Sequence, residues 1–167
     1  MEMSSQVQQF WTQFVATAGD DATDDAAADN VAGRFYEAFH FDDNEVDANA
    51  LVELVLQGTK RATASLLWGY EISRIPLPKA GDLSVVTDWQ GQPRCIIEST
   101  HVEVVSYEEV SEAFAAIEGE GDGSLRYWLE EHWLYFSREC QRLGKTPSLQ
   151  MPVVCEQFKV IYPRRDA

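Results

Sequence analysis

The fold is decided by residues 83–106, LSVVTDWQGQPRCIIESTHVEVVS. Runs rich in β-branched residues predict strands at 83–88, 94–100 and 101–106. The polar WQGQ between the first two runs is typical of a hairpin turn. The sequence therefore predicts a strand-rich centre, and the question becomes what surrounds it.

Helices are predicted before and after this strand-rich region of the sequence, because apolar residues recur there at helical spacing. The predicted helices cover residues 1–18, 31–41, 47–57, 107–117 and 124–143. Asp122 or Ser124 is placed to cap the last helix, and Gly144 is placed to end it. The apolar run 151–162 predicts a final strand. This order is that of an α+β domain, not a regular alternation, and we expect a small mixed β-barrel wrapped by helices.

The charge of the chain is concentrated in its first third. The 167 residues include 28 Asp and Glu against 13 Lys and Arg, which gives a formal net charge of −15. Residues 1–57 contain 12 acids and one base, Arg34, whereas residues 58–167 contain 16 acids and 12 bases. The acidic run 19–30, GDDATDDAAADN, is expected to be a flexible connection or the approach to a helix. A long, nonspecific RNA track is disfavoured, but a nucleoside-sized ligand in one pocket is not.

Composition excludes several classes of protein. With 45% hydrophobic and 11% aromatic residues, the chain can form a core, so wholesale disorder is excluded. It has no run of about 18–20 apolar residues that could span a membrane, and its polar N-terminus is not a signal peptide. Cys95, Cys140 and Cys155 are odd in number and lack CxxC spacing, which argues against a disulfide framework or a zinc site and for a reducing cytoplasm. Cys95 and Cys155 lie in apolar runs, where we expect small buried thiols.

The motif GTKRAT, residues 58–63, places a cation and a hydroxyl three residues apart. It is not a phosphate-binding P-loop, because it has one glycine and no adjacent Lys-Ser/Thr pair. In a turn or helical turn, Lys60 and Thr63 would lie on one face. A lysine in a partly dry cleft can lose its proton and serve as the base for that hydroxyl. The alternative is a surface lysine beside a capping threonine.

The motif EGEGDGS, residues 118–124, places three carboxylates before a helix. The spacing is not that of an EF-hand, since Leu129 stands where the twelfth-position glutamate belongs. A glycine-rich entry to a helix can present N–H groups to an anion or a carbonyl. One of its glutamates could also share a proton with a lysine. The alternative is an ordinary capped loop.

The histidines and aromatic residues give weaker signals. His40, His101 and His132 form no HxxxH or HxH pair, so no metal site is predicted. His132 is expected to be a packed or rim side chain. Trp68 follows a basic stretch and could stack on a base, although a core position is the alternative.

Four elements in this order resemble the ASCH domain. They are GTKRAT (58–63), PKAGD (78–82), EGEGDGS (118–124) followed by Trp128 and His132, and VVCEQF (153–158). ASCH domains are similar in fold to the PUA domain, a small β-barrel of RNA-modification enzymes. The resemblance implies that residues 45–167 are the ASCH domain and that residues 1–44 are an acidic helical extension packing on the same domain.

The resemblance also implies a cleft for a nucleotide or RNA. Family members have been associated with RNA binding, coactivation of transcription, ribonuclease activity and hydrolysis of acetylated cytidine. In the amidohydrolase branch the motif lysine is the base, the threonine is the nucleophile and a downstream glutamate assists. These roles fall on Lys60, on Thr63 and on Glu118 or Glu120. Ligand contacts are expected from Gly58, Thr59, Arg61, Ser65, Trp68, Asp122 and Ser124. The broad family pattern GxKxxExR differs here, with Thr63 and Ser65 at its last two positions.

The sequence therefore predicts a cytoplasmic protein that binds a nucleoside, a nucleotide or an RNA end, with no cofactor, metal or membrane. If it is an enzyme, it is a small hydrolase of an acylated nucleoside. The first alternative is a non-catalytic RNA-binding module or a single-strand ribonuclease. The second is a protein-interaction domain whose acidic N-terminus docks a basic partner.

Overall fold

The computed structural model describes residues 3–20 and 25–164, and within them six helices and five strands. The helices are α1 (Ser5–Asp20), α2 (Asp25–Ala32), α3 (Glu45–Gln57), α4 (Leu67–Ser73), α5 (Glu112–Glu118) and α6 (Leu125–Leu143). The strands are β1 (Phe35–Phe39), β2 (Ala62–Leu66), β3 (Leu83–Thr87), β4 (Pro93–Ser106) and β5 (Pro152–Tyr162).

The strands form one mixed sheet in the order β1-β3-β4-β5-β2. β1 runs parallel to β3, whereas the pairs β3–β4 and β2–β5 are antiparallel. The β3–β4 hairpin closes where Asp88 donates its N–H to the Gln92 carbonyl (3.0 Å), and Gly91 provides the turn with a φ of +82°. The predicted α+β class, a mixed sheet with helices around it, is confirmed.

The chain divides into two compact units, of which the first comprises Met1–Leu56, Gly81–Glu98 and Lys159–Ala167. In its core, one apolar stripe of α1 packs on alternating residues of β3 and on β4. The buried side chains are Val7, Trp11, Phe14, Leu83, Val85 and Ile96. The apolar residues at helical spacing in α1 and those at strand spacing in β3 thus pack in the same core.

The second unit comprises Gln57–Ala80 and Ser99–Phe158. Its core joins α5 and α6 to β2 and β5. The α6 stripe contributes Trp128, Phe136 and Cys140, which are buried at spacings of eight and four residues. This core matters for function because Glu118 in α5, His132 in α6 and Lys60 in the loop before β2 are the charged residues described below.

The strongest periodic patterns are confirmed. The helices predicted for 47–57 and 124–143 are α3 and α6, and the strand predicted for 151–162 is β5. Ser124 caps α6 by accepting a hydrogen bond from Tyr127 N–H, and Gly144 ends α6 in a left-handed conformation.

The helix predicted for residues 31–41 is wrong. α2 ends at Ala32, and the aromatic run that follows forms β1, which pairs with β3. Phe35 and Ala38 pack on the core of the first unit. Aromatic residues favour strands, and an apolar run this short is compatible with both the helical and the strand period. The hydrogen bonds offered by β3 therefore decide its structure.

Two predictions near the centre of the chain also change. The runs 94–100 and 101–106 form the single strand β4, because no turn residue separates them. The segment after Gly58, predicted as a turn or helical turn, enters strand β2 at Ala62. This second change alters the geometry expected at the GTKRAT motif.

Three smaller expectations can be compared with the structure. Within the acidic run 19–30, residues 25–30 begin α2, while 21–24 lie outside the described residues. All three cysteines are free and buried, which confirms the burial predicted for Cys95 and Cys155. None of the helices in the described residues is long and apolar enough to cross a membrane.

Candidate functional site

Lys60 lies on a short loop between α3 and β2, residues 58–61, which we call the lysine loop. Backbone hydrogen bonds fix this loop. Arg61 donates its N–H to the Ile117 carbonyl (3.0 Å), and its own carbonyl accepts from Phe158 N–H (2.9 Å). The loop is thereby joined to α5 and β5, and the Lys60 side chain is only 1% exposed.

The residues after α5, 118–124, form a second loop, the glutamate loop, which approaches the lysine loop at Gly119. Gly119 has a φ of +68°, and a Cβ placed on it would lie 2.2 Å from the Thr59 carbonyl oxygen. No side chain fits at that distance, so the approach requires glycine. This approach brings Glu118 and Glu120, the neighbours of Gly119, to the Lys60 side chain.

The Lys60 ammonium donates three hydrogen bonds. Its acceptors are the Ala62 carbonyl (2.8 Å), Glu118 Oε1 (3.3 Å) and Glu120 Oε1 (2.6 Å). An ammonium has three N–H donors, which these acceptors match. Burial lowers the pKa of Lys60, but the charges and hydrogen bonds of Glu120 and Glu118 outweigh burial and raise the pKa above its ordinary value. Lys60 is therefore a cationic donor at neutral pH.

Glu118 is the buried centre of these contacts. Besides Lys60, its carboxylate accepts a hydrogen bond from the Trp128 indole N–H on Oε2, and its Oε1 lies 3.3 Å from His132 Nε2. Burial raises the pKa of Glu118, but the charges of Lys60 and His132 and the hydrogen bonds from His132 and Trp128 lower it to about 2. The carboxylate therefore stays ionised at neutral pH.

His132 faces acceptors on both sides of its ring. Nδ1 lies 2.9 Å from the Trp128 carbonyl oxygen, and Nε2 faces Glu118. Two acceptors require two N–H donors, which only the imidazolium has. Burial lowers the pKa of His132, but the Glu118 charge and hydrogen bond prevail and raise it. The ring stacks on Trp128, with centroids 3.9 Å apart and planes 10° from parallel.

Lys60, Glu118, Glu120 and His132 form what we call the charge cluster. Two cations face two carboxylates, so its net charge is zero. The side chains of Lys60, Glu118 and His132 are 1%, 2% and 9% exposed, whereas Glu120 is 17% exposed. Glu120 is thus the member of the cluster that solvent or a ligand reaches most easily.

The same residues include a set that could hold a metal ion. Glu118, Glu120 and His132 each offer one ligand atom, and these atoms lie within 4.8 Å of one another. However, the Lys60 ammonium already contacts both carboxylates, and both His132 nitrogens face carbonyl or carboxylate oxygens. A protein cation thus supplies the positive charge that a metal would bring. That no metal is needed stays a prediction.

Comparison with known proteins identifies the family. The family model of the ASCH domain matches residues 37–162. The chain belongs to the ASCH domain family. An ASCH domain from Lactobacillus crispatus JV V101 is 40% identical, with a TM-score of 0.85, and the match covers 96% of each chain. A protein from Enterococcus faecalis V583 is 33% identical, with a TM-score of 0.78, over 93% of this chain and 88% of that chain. No curated protein matches.

In this ASCH domain, Thr63 lies in β2 and not in a turn. Side chains alternate along a strand, so Thr63 is on the opposite face from Ala62, which packs in the core of the second unit. Thr63 pairs with Glu156, and directly opposed residues share a face. Glu156 is 9% exposed and accepts a hydrogen bond from Ser99 Oγ (2.6 Å). Thr63 and Lys60 therefore have different neighbours.

Three of the predicted ligand contacts lie at the rim of the lysine loop. Gly58, Thr59 and Arg61 are all exposed, and Gly58 has a φ of +80°. The Thr59 carbonyl is the group that meets Gly119. The side chains of Thr59 and Arg61 are accessible to a ligand, while their backbone positions the loop.

Two further predicted contacts, Ser65 and Trp68, lie along β2 and α4. Ser65 Oγ is 3.0 Å from Tyr70 Oη. Trp68 is half-buried against the core of the second unit, and the Lys145 ammonium lies 5.5 Å from its ring centroid. Trp68 is thus a packing residue with one face toward a cation.

Asp122 and Ser124 act on the backbone of the glutamate loop. Asp122 Oδ1 accepts from Ser124 N–H (2.9 Å), and hydrogen bonds from the Ser124 side chain and from this N–H lower the pKa of Asp122. Ser124 caps α6. Both residues therefore order the loop that presents Glu118 and Glu120.

Trp128, His132 and Glu156 lie outside the two motifs, but the sequence contains a signal for each of them. Trp128 and His132 are four residues apart on α6, so two hydrogen-bonding groups lie on one apolar stripe. Glu156 is a charged residue inside the apolar run of β5. A polar side chain in a predicted core position needs a partner, and each of these three has one.

Proposed function

We propose that this protein binds a nucleotide-sized ligand at the charge cluster, with Lys60 donating a hydrogen bond to a carbonyl oxygen of the base. The observation that carries this proposal is the enclosed Lys60 ammonium, whose most exposed partner is Glu120. Membership of the ASCH family, whose domains are PUA-like and generally bind RNA, supports the class of ligand.

The ligand would gain access by replacing Glu120. Glu120 stands between Gly119 and Gly121, which have φ values of +68° and +57°. Both glycines pack closely, Gly119 on Thr59 and Gly121 on Tyr127, so the backbone keeps its place and the Glu120 side chain would turn about its own single bonds toward solvent. Rotation of Glu120 away from Lys60 frees one N–H of the ammonium on the exposed side of the cluster.

The charge of the cluster selects the ligand chemistry. Without the Glu120 carboxylate in contact, Lys60 and His132 face Glu118 alone, which leaves one excess positive charge. An incoming acceptor with partial or full negative charge, such as a base carbonyl or a phosphate, restores the balance. Arg61 is exposed at the rim of the same loop and adds a cation for a phosphate. The chain's charge of −15 favours a single nucleotide or an RNA end over a polymer.

Calorimetric titration with the four common nucleoside 5′-monophosphates tests the proposal. Lys60→Met should weaken binding by at least about tenfold, the cost of one charge-assisted hydrogen bond. Glu120→Gln should strengthen binding, because a neutral amide competes less well for Lys60. Lys145→Met is the matched control, since Lys145 lies in the same unit beside Trp68. Unchanged affinity in Lys60→Met and weaker affinity in Glu120→Gln would refute the proposal.

The same titrations distinguish the alternatives. An RNA-binding module predicts affinity for single-stranded RNA that falls with salt and with neutralisation of Arg61. A protein-interaction domain predicts no nucleotide binding in either variant or parent. Docking of a basic partner on the acidic N-terminus remains a prediction of the sequence.

A second candidate, hydrolysis of an N-acylated nucleoside, is favoured by the pairing of Thr63 with Glu156. The Thr63 hydroxyl would attack the acyl carbon while Glu156 takes its proton. The C–N bond would then break as that proton passes to the leaving amine, and water would hydrolyse the threonyl ester. Lys60 is less suited to be the base, because its neighbours favour the charged form. Release of cytidine from N4-acetylcytidine, lost in Thr63→Val and kept in Thr100→Val, would support this reaction, and equal rates in both would exclude it. Thr100 is an exposed threonine of β4 and serves as the control.

A further inference from the structure

β4 is longer than the strand on one of its sides. It lies between β3 and β5 in the sheet, and its register with β3 runs only from Pro93 to Glu98, which faces Leu83 at the start of β3. β4 then continues to Ser106. Among the described residues, no strand pairs with residues 99–106 on the side of β3, and we call this segment the open edge.

The open edge lacks features that usually prevent a strand from pairing with another chain. Its sequence, STHVEVVS, is rich in β-branched residues and contains no lysine, proline or glycine. Lysine, proline or a covering loop are common means of blocking an edge. Within the second unit, no described loop or helix residue makes a backbone hydrogen bond to residues 99–105. The segment therefore presents backbone N–H and C=O groups to a further strand.

The polar side chains of the open edge are accessible. His101 and Glu103 are 58% and 55% exposed, and Val104 is 42% exposed. His101 Nε2 and Glu103 Oε2 lie 3.9 Å apart, as expected for residues two positions apart on one face of a strand. One basic and one acidic side chain thus lie side by side on the same face.

This pattern is complementary to itself in an antiparallel pairing. With a two-fold axis at Val102, His101 lies directly opposite Glu103 of a second copy, and Thr100 lies opposite Val104. The axis makes each of these contacts twice. A pairing centred on Glu103 would instead place two carboxylates opposite each other, which is unfavourable. The side chains therefore favour one register, and every copy of the chain carries the strand that matches it.

We propose that this protein associates as a symmetric dimer in which the open edges of two copies pair antiparallel about Val102. The two five-stranded sheets would then form one continuous sheet. A single strand pairing buries less apolar surface than an obligate interface, so the dimer is expected to dissociate on dilution. The dimer goes beyond the nucleotide site, because it uses none of the residues of the charge cluster.

Sedimentation velocity on the full chain, from about 1 to about 500 µM, measures the association. The parent should pass from monomer to dimer in this range. Glu103→Lys should weaken dimerisation by at least about tenfold, because it replaces two favourable contacts with two unfavourable ones. Glu130→Lys is the matched control, since it makes the same charge change at a side chain of α6 that is 63% exposed. A parent that stays monomeric, or an equal loss in both variants, would overturn the proposal.

Mixing two charge variants tests the register. His101→Glu opposes carboxylates in its own dimer, and His101→Lys combined with Glu103→Lys opposes ammonium groups, so each alone should stay monomeric. An equimolar mixture should associate, because every carboxylate then faces an ammonium of the other copy. Both positions are exposed, so the variants should melt as the parent does when followed by circular dichroism. Self-association of either variant equal to that of the parent, or a mixture that stays monomeric, would contradict pairing about Val102.

Discussion

Replacement of Glu118 by glutamine tests the charge cluster most directly. The substitution keeps the shape of the side chain and removes its charge. Lys60 and His132 would then share only Glu120, which is the more exposed of the two carboxylates. The Trp128 indole would keep an oxygen acceptor only in one orientation of the amide. The variant therefore isolates the electrostatic part of the interaction.

The expected loss is large, because the Glu118 side chain is only 2% exposed. Breaking a buried ion pair by removing one partner costs about 3–5 kcal/mol. The pKa of Glu118, about 2 against an ordinary 4.5, gives the same order. A difference of about 2.5 pH units at about 1.4 kcal/mol each corresponds to about 3 kcal/mol. We expect Glu118→Gln to lower the free energy of unfolding at pH 7 by about 3–5 kcal/mol.

The loss should depend on pH with a definite sign. Because the folded-state pKa is lowered, the stabilisation is complete above the unfolded value and disappears as the pH falls toward about 2. The difference between parent and variant should therefore shrink at pH 3. Urea unfolding followed by circular dichroism at pH 7 and pH 3 measures both quantities.

Glu120→Gln provides the matched control, since it removes the same charge from a more exposed position. We expect a smaller loss for this variant, because the Glu120 side chain is 17% exposed against 2% for Glu118 and water can take its place beside Lys60. The reasoning is refuted if Glu118→Gln loses less than the control at pH 7. It is also refuted if the loss in Glu118→Gln is as large at pH 3 as at pH 7.

Three further predictions follow from the described contacts. Gly119→Ala should lower the melting temperature more than Gly91→Ala, because both glycines have positive φ but only Gly119 would bring a Cβ to 2.2 Å from a carbonyl oxygen. Phe136→Ala should cost about 3–5 kcal/mol in urea unfolding, since Phe136 is fully buried in the core of the second unit. The pKa of His132, followed by NMR, should be raised above its ordinary value and should return toward it in Glu118→Gln. The stabilisation from protonated His132 is present at low pH and is lost as the pH rises through that raised pKa.

The elements with local causes were predictable from the sequence. α6 carries an apolar stripe over five turns and has a serine cap and a terminal glycine, so its period and ends are both encoded locally. β1 was not predictable in this way. Its five residues satisfy both periods, and its structure depends on hydrogen bonds to β3, more than 40 residues later in the chain.

In the candidate site, too, the local features were predictable from the sequence and the long-range contacts were not. The two motifs contain Lys60, Glu118 and Glu120, but the sequence gives no distance between side chains 58 residues apart. Burial alone would lower the pKa of Lys60 and favour the uncharged amine. The carboxylates of Glu120 and Glu118, which contact Lys60, raise its pKa instead. Thr63 was placed on one face with Lys60 because a helical turn was assumed, and the strand period separates them.

The backbone of Arg61 has a consequence for changing the specificity of the proposed nucleotide site. Its N–H and carbonyl are both used to fix the lysine loop, while its side chain is exposed at the rim. Position 61 should therefore accept nearly any residue except proline, which lacks the N–H. A library at this position would change what a ligand meets at the entrance and leave the Lys60 ammonium where it is. The loop thus separates the part of the site that can be varied from the part that must be kept.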